Sequence, residues 1–97
     1  MMERLTGKFP LGQLVMTRGV ADRVAEDAAF AQFCLNSLKR HAQGDWGDMD
    51  AHDKRENEFA LKQGNLRIFS AYEGPQKIWI ITEADRSVTT TMFPSEY

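Results

Sequence analysis

The sequence lacks most of the features that announce a function. It has a single cysteine, Cys34, which excludes an internal disulfide and a cysteine-rich zinc site. It has no marked excess of either charge: 12 Lys and Arg stand against 14 Asp and Glu, a net charge of −2. A nucleic-acid scaffold usually carries a clear basic excess, so nucleic acid is not expected as a partner. An acidic mimic of DNA would need many more carboxylates. No run approaches the roughly 18 apolar residues that a membrane helix needs, so no membrane partner is expected either. The opening MMERLTGKFPLG has charges but no apolar stretch, unlike a secretory signal. There are no internal repeats and no low-complexity tract. GxSxG, HExxH, GxGxxG and the P-loop are all missing, and no cofactor is expected.

What is present suits one small domain over residues 1–97, with 42% apolar and 27% charged residues. A cytoplasmic protein is expected, since one reduced thiol fits that compartment. A chain of this size is viable as a monomer or a homodimer. The charge is uneven. Residues 1–42 carry +2, residues 43–58 carry −4 and residues 59–97 balance. The acids of the middle segment are Asp45, Asp48, Asp50, Asp53, Glu56 and Glu58.

The apolar spacing predicts an early strand over 13–17, with Leu14 and Met16 on one face. Thr17 is the N-cap candidate for a helix over about 18–27, carrying Val20, Val24 and Ala28 at helical spacing. A second helix covers about 28–42, with a stripe of Phe30, Phe33, Cys34, Leu38, His41 and Ala42, and Gly44 stops it. Asp50 caps a third helix over about 51–63 that ends at Gly64. Its apolar content is thin, which puts it on the outside. Three strands follow, over 66–73, 77–83 and 87–93, separated by turns at Gly74-Pro75 and 84–86. The expected fold is α+β in the order β-α-α-α-β-β-β. Its antiparallel sheet has three or four strands, with the helices packed on one face.

The densest cluster of unusual residues is His41-Ala-Gln-Gly44-Asp45-Trp46-Gly47-Asp48. Its glycines suggest backbone at positive φ or in close packing. A loop tryptophan either docks on the core, the favoured reading, or meets a ligand. Asp45 either orients His41 or caps the next helix, capping being favoured. A lone histidine ending an apolar helix face is more often structural than an acid, base or ligand. His52, in the first turn of the third helix, reads as exposed. The nearby acids fail the calcium-loop template, with Asp53 where glycine is needed and Phe59 where glutamate is needed, and no metal is expected. Cys34 reads as a buried, inert thiol. At the last hairpin tip, Glu83 or Asp85 pairs with Arg86 to fix the turn, or Arg86 and the threonines offer donors to an anion. Ser87, Thr89 and Thr91 share one face, which is polar and suited to lining a groove.

Several blocks in order carry a resemblance. They are His41, Gly44, Asp45, Trp46, Gly47 and Asp48; then Asp53, Asn57, Ala60 and Leu61; then Ser70 and Tyr72. Trp79–Ser87 follows with Thr89 and Thr90, then Pro94, Glu96 and Tyr97. With its HxxGDWGD and WIITEADRSxTT motifs, the chain over about 11–97 resembles a family of small bacterial proteins. These are called plasmid-related or hypothetical, and sometimes type I restriction endonuclease subunit M. The last label does not suit 97 residues with no Gly-rich cofactor turn. The resemblance implies a bacterial protein of the chromosome or of a mobile element, and no activity.

Two functions are open at this point. The first is a non-enzymatic binding or accessory protein of a mobile element, contacting a protein partner. Its binding residues would be His41, Gly44, Asp45, Trp46, Gly47, Arg86 and Thr89. The second is a small metal-independent ribonuclease similar to RelE-like and barnase-like toxins. Its catalytic groups would be His41, Glu73 and Arg86, with Arg67 beside them. That second reading is fold-level analogy, and the −2 charge counts against it. The first is favoured.

Overall fold

The fold is taken from a computed structural model that describes residues 7–97. The reading of the N-terminal stretch falls partly on residues 1–6, outside the described residues. The elements are β1 Gln13–Met16, α1 Arg18–Glu26, α2 Ala28–Ala42, α3 Ala51–Gln63, β2 Ile68–Tyr72, β3 Ile78–Thr82 and β4 Val88–Met92. A single 3-10 turn, Pro94–Glu96, follows. The class is α+β and the order is the one that the sequence predicts.

The helices begin and end where local chemistry allows it. Asp27 caps α2 by accepting from the Phe30 N–H at 3.1 Å, and Lys39 and Arg40 sit in its last turn, where the helix dipole favours cations. The Asp50 carboxylate accepts from the Asp53 N–H at 2.8 Å and starts α3. Gly64, at φ 79°, ends it in the left-handed conformation. Only Asn57 and Ala60 of α3 are buried, in line with its thin apolar face.

The sheet order is β1-β4-β3-β2. Registers such as Ile68↔Thr82, Ser70↔Ile80 and Tyr72↔Ile78, then Thr82↔Thr89 and Ile80↔Thr91, put these side chains on one face. Val20, Phe30 and Cys34 pack there on Tyr72, Ile78 and Ile80. A second cluster joins Phe9, Leu11, Ala42, Trp46 and Ala60 to Ile68. The helices α1 and α2 cover this inner face, while α3 flanks β2. The extents, 38 × 33 × 19 Å, leave room for two layers and no third.

The sheet is mixed rather than antiparallel throughout. The strands β2, β3 and β4 form the expected antiparallel meander, but β1 joins β4 in parallel. A contact beyond the strands matches this direction. Glu96, just past β4, accepts from the Thr17 hydroxyl at 2.6 Å and from the Gly19 N–H at 2.8 Å. Thr17 and Gly19 follow β1 directly, so both strands must run towards the same end. Thr17 holds the N-cap position of α1, yet its side chain does not cap the helix backbone. The Glu96 carboxylate, brought from the other end of the chain, does so instead.

Candidate functional site

The segment from His41 to Asp48 forms the end of α2 and a loop that lies along the outer edge of β2. The Ala71 N–H donates to the Trp46 carbonyl at 3.3 Å, and the Asp48 N–H donates to the Ala71 carbonyl at 2.7 Å. The loop thereby pairs with an edge that would otherwise be open. Gly47 makes the approach possible. Its φ is +77°, and a Cβ there would collide with the Ala71 carbonyl and the Tyr72 ring. Gly44, at φ +81°, turns the chain out of α2.

His41 is fully buried and is held at both ring nitrogens. Nδ1 meets the Ser70 hydroxyl, and Nε2 lies 2.9 Å from the Thr82 hydroxyl. Thr82 in turn lies 2.7 Å from the Thr89 hydroxyl, which donates to the Leu11 carbonyl at 2.7 Å. A carbonyl only accepts, which fixes the direction of the bonds as far as His41 Nε2, and a neutral ring fixes the last. Thr89 donates to Leu11, Thr82 to Thr89, His41 Nε2–H to Thr82, and Ser70 to His41 Nδ1. Burial pushes the His41 pKa down to about 3, so the ring stays neutral, in the tautomer this chain requires. No face of it is offered to a substrate.

Trp46 is 4% exposed. Its indole N–H donates to Glu58 at 2.7 Å, and its ring meets Phe9 and His41, with centroids at 6.1 and 5.9 Å. Asp45 neither orients His41 nor caps α3. It binds Arg40 through two bonds, at 2.7 and 3.1 Å, and accepts from the Gly47 N–H. The Arg40 hydrogen bond holds the Asp45 carboxyl below its usual range. The Asp45 carbonyl accepts from the Tyr72 hydroxyl at 2.6 Å, and Asp48 accepts from the Glu73 N–H at 2.7 Å.

Arg86 has φ 61° and spends its guanidinium on backbone carbonyls. It donates to Leu66, Glu83, Ala84 and Ala60, and lies over the Phe9 ring at 5.9 Å. It ties the β3–β4 hairpin to the end of α3. Asp85 instead accepts from the Ser87 N–H at 3.0 Å, and Glu83 pairs with Arg67 at 3.0 Å. His41, Trp46 and Arg86 therefore do gather, around Phe9, in a closed packing cluster. Glu73 pairs with Lys77 on the surface. No two of His41, Glu73, Arg67 and Arg86 share a hydrogen bond or an ion pair.

Cys34 is buried, and desolvation pushes its thiol up to about 11. His52 is exposed and lies 3.5 Å from Glu56. Among the described residues, no three His, Cys, Asp or Glu are grouped to hold a metal ion. No helix among them is long and apolar enough to cross a membrane.

Two open surfaces stand out among the described residues. The first is the outer face of the sheet. Phe69 and Trp79, both half-buried, stand edge to face at 4.9 Å, and Trp79 meets Tyr97 at 5.6 Å. Arg67 donates to the Tyr97 hydroxyl at 3.3 Å. Arg67 and Phe69 also line a groove of about 330 Å³ against α3, beside Asp53, Glu56 and Asn57. The second is an apolar groove of about 220 Å³ between β1 and α2, where Thr89 and Thr91 form part of the floor. The sequence signal for the first surface was Trp79 at a position alternating with Ile78 and Ile80. No signal linked it to Tyr97. Comparison with protein-family models, curated proteins and solved structures finds no match.

Proposed function

We propose that this chain is a non-enzymatic binding and accessory protein that takes a protein partner on the outer face of its sheet. The observation that carries this reading is the aromatic series Phe69, Trp79 and Tyr97, which lies beside Arg67 on a face that α1 and α2 leave uncovered. Aromatic residues and arginine dominate the energetic centres of protein interfaces. The acids Asp53 and Glu56 border the same surface. They favour a partner that presents an apolar anchor flanked by a basic side chain, and they oppose a polyanion such as RNA. The motif resemblance supports service to a mobile element.

Two of the groups that a ribonuclease would use are committed elsewhere. His41 is enclosed and neutral, and Arg86 is bound to four carbonyls. The test is quantitative affinity capture from a bacterial lysate with the tagged chain and with Trp79→Ala. A partner retained in defined ratio by the first and lost by the second is the expected outcome. Identical captured sets, or RNA cleavage by the purified chain, would overturn the reading.

A further inference from the structure

The two edges of the sheet are treated differently. The β2 edge is covered by the 45–48 loop, whereas β1 has no strand on its outer side among the described residues. Edge strands are usually guarded by a charge, a proline or a bulge. The strand Gln13–Met16 has none of these. The absence extends further. In a chain that is 27% charged, residues 9–17 and 28–38 contain no charged residue at all. Within them, residues 13–16 are the strand, and 28–38 most of the helix, that line the apolar groove. Along it Leu14, Met16 and Leu35 are 46%, 49% and 40% exposed.

The backbone of β1 sets the register in which another strand can join. The Gln13 N–H donates to Ser87 and the Thr17 N–H to Thr91. In a parallel ladder alternate residues face the same neighbour, so Gln13, Val15 and Thr17 are bonded to β4. The N–H and C=O groups of Leu14 and Met16 point outwards. In an antiparallel pairing of two identical strands about Val15, Leu14 of one copy exchanges both bonds with Met16 of the other, and the reverse. Every outward group of the strand is then satisfied. The central cross-strand pairs are apolar, Leu14 with Met16 on the groove side and Val15 with Val15 on the outer side, and the flanking pair, Gln13 with Thr17, is polar and uncharged. No charge is opposed or left buried, and a two-fold axis closes the assembly.

We propose that the β1 edge and its groove form a homodimer interface, in which a second copy of this chain pairs antiparallel about Val15 and joins the two sheets into one of eight strands. The uncharged groove selects an uncharged occupant, and the copy supplies one with matching hydrogen-bond groups. This interface is separate from the aromatic face, so either surface can be lost without the other.

Light scattering on the eluting full chain at micromolar concentration tests it. The wild type is expected at about twice its 11.1 kDa mass. Leu14→Lys with Met16→Lys sets like charges opposite each other across the axis and is expected at the single-chain mass. Leu14→Glu with Met16→Lys sets opposite charges across the same pairs and is expected to remain double. These side chains are exposed, and circular dichroism checks that each variant folds. Independently, Val15→Cys in a Cys34→Ser background is expected to form an intermolecular disulfide on mild oxidation. Facing Cα atoms at a non-hydrogen-bonded pair lie about 4.5 Å apart, within disulfide reach. A wild type at single-chain mass throughout, a double-lysine variant that stays dimeric, or a Val15→Cys chain that remains a free thiol would overturn the proposal.

Discussion

His41 sits where a catalytic histidine would be sought, at the end of a helix beside a loop rich in glycine and aspartate. Its partners give it another role. Two strand hydroxyls take its ring nitrogens, and a third passes the bonding on to the Leu11 carbonyl. The ring thus joins α2, three strands and the N-terminal segment in a region where any unpaired polar atom would be costly. Because burial lowers its pKa from 6.5 to about 3, the unfolded chain binds a proton that the folded chain refuses. Stability is then full above about pH 6.5 and declines as pH falls towards about 3. The loss is on the order of a few kcal/mol. Urea titrations across this range should show the decline in the wild type. In His41→Gln they should be flat until the carboxylates titrate, below about pH 5. Equal slopes for the two proteins would show that His41 does not cause the decline. Gly47 gives a second expectation at this scale. Gly47→Ala places a Cβ against Ala71 and Tyr72 at positive φ, and should cost roughly 1–3 kcal/mol in urea unfolding. The histidine and glycines were visible as unusual residues. Their roles were not, because Ser70 and Thr82 lie 29 and 41 residues from His41.

The helices and the three-strand meander could be read from periodicity and end signals to within one or two residues. Asp50 and Gly64 bound α3 as expected, the first by its carboxylate and the second by its left-handed backbone. The direction of β1 could not be read, because a four-residue edge strand carries no mark of its neighbour. The tie that goes with it comes from Glu96, a carboxylate that no local pattern connects with Thr17 or Gly19. That carboxyl is held below its usual range, chiefly by the Thr17 hydroxyl. Arg86 was equally hidden. An arginine at this hairpin tip reads as the partner of Glu83 or Asp85, or as a donor to an anion, and the four carbonyls it binds belong partly to α3 and to the segment before β2. Arg86→Gly separates backbone from side chain, since glycine relieves the φ of 61° but removes the tie. The substitution should destabilise the chain by about 1–3 kcal/mol and raise hydrogen exchange at the end of α3. A stabilised variant would show that the backbone conformation, not the guanidinium, decides the site.

At the scale of the whole molecule, the charge arithmetic acquires a geometry. The acidic stretch over 43–58 runs through the β2-edge loop and the first half of α3, at one side of the sheet. Of the uncharged stretches, 13–17 and 28–38 lie at the other, along β1 and α2, while Phe9 packs against Trp46. The net charge of −2 thus averages an acidic flank and a neutral one, joined by an outer face that bears aromatics. The distinctive HxxGDWGD and ADRS blocks hold this arrangement together. The exposed surfaces come from residues that stood out less: Phe69, Trp79 and Tyr97 on the face, Leu14 and Met16 at the edge. The most direct test of that division compares Trp79→Ala with Trp46→Phe, both for urea unfolding and for partner capture. Trp46 loses its hydrogen bond to Glu58 and its packing, so its variant should unfold at lower urea while capture of the partner persists in the folded state. Trp79→Ala gives up its edge-to-face contacts with Phe69 and Tyr97, so it should also unfold at lower urea, yet while folded it should capture nothing. A Trp79→Ala chain that still retains the partner, with Trp46→Phe losing it while folded, would contradict the account.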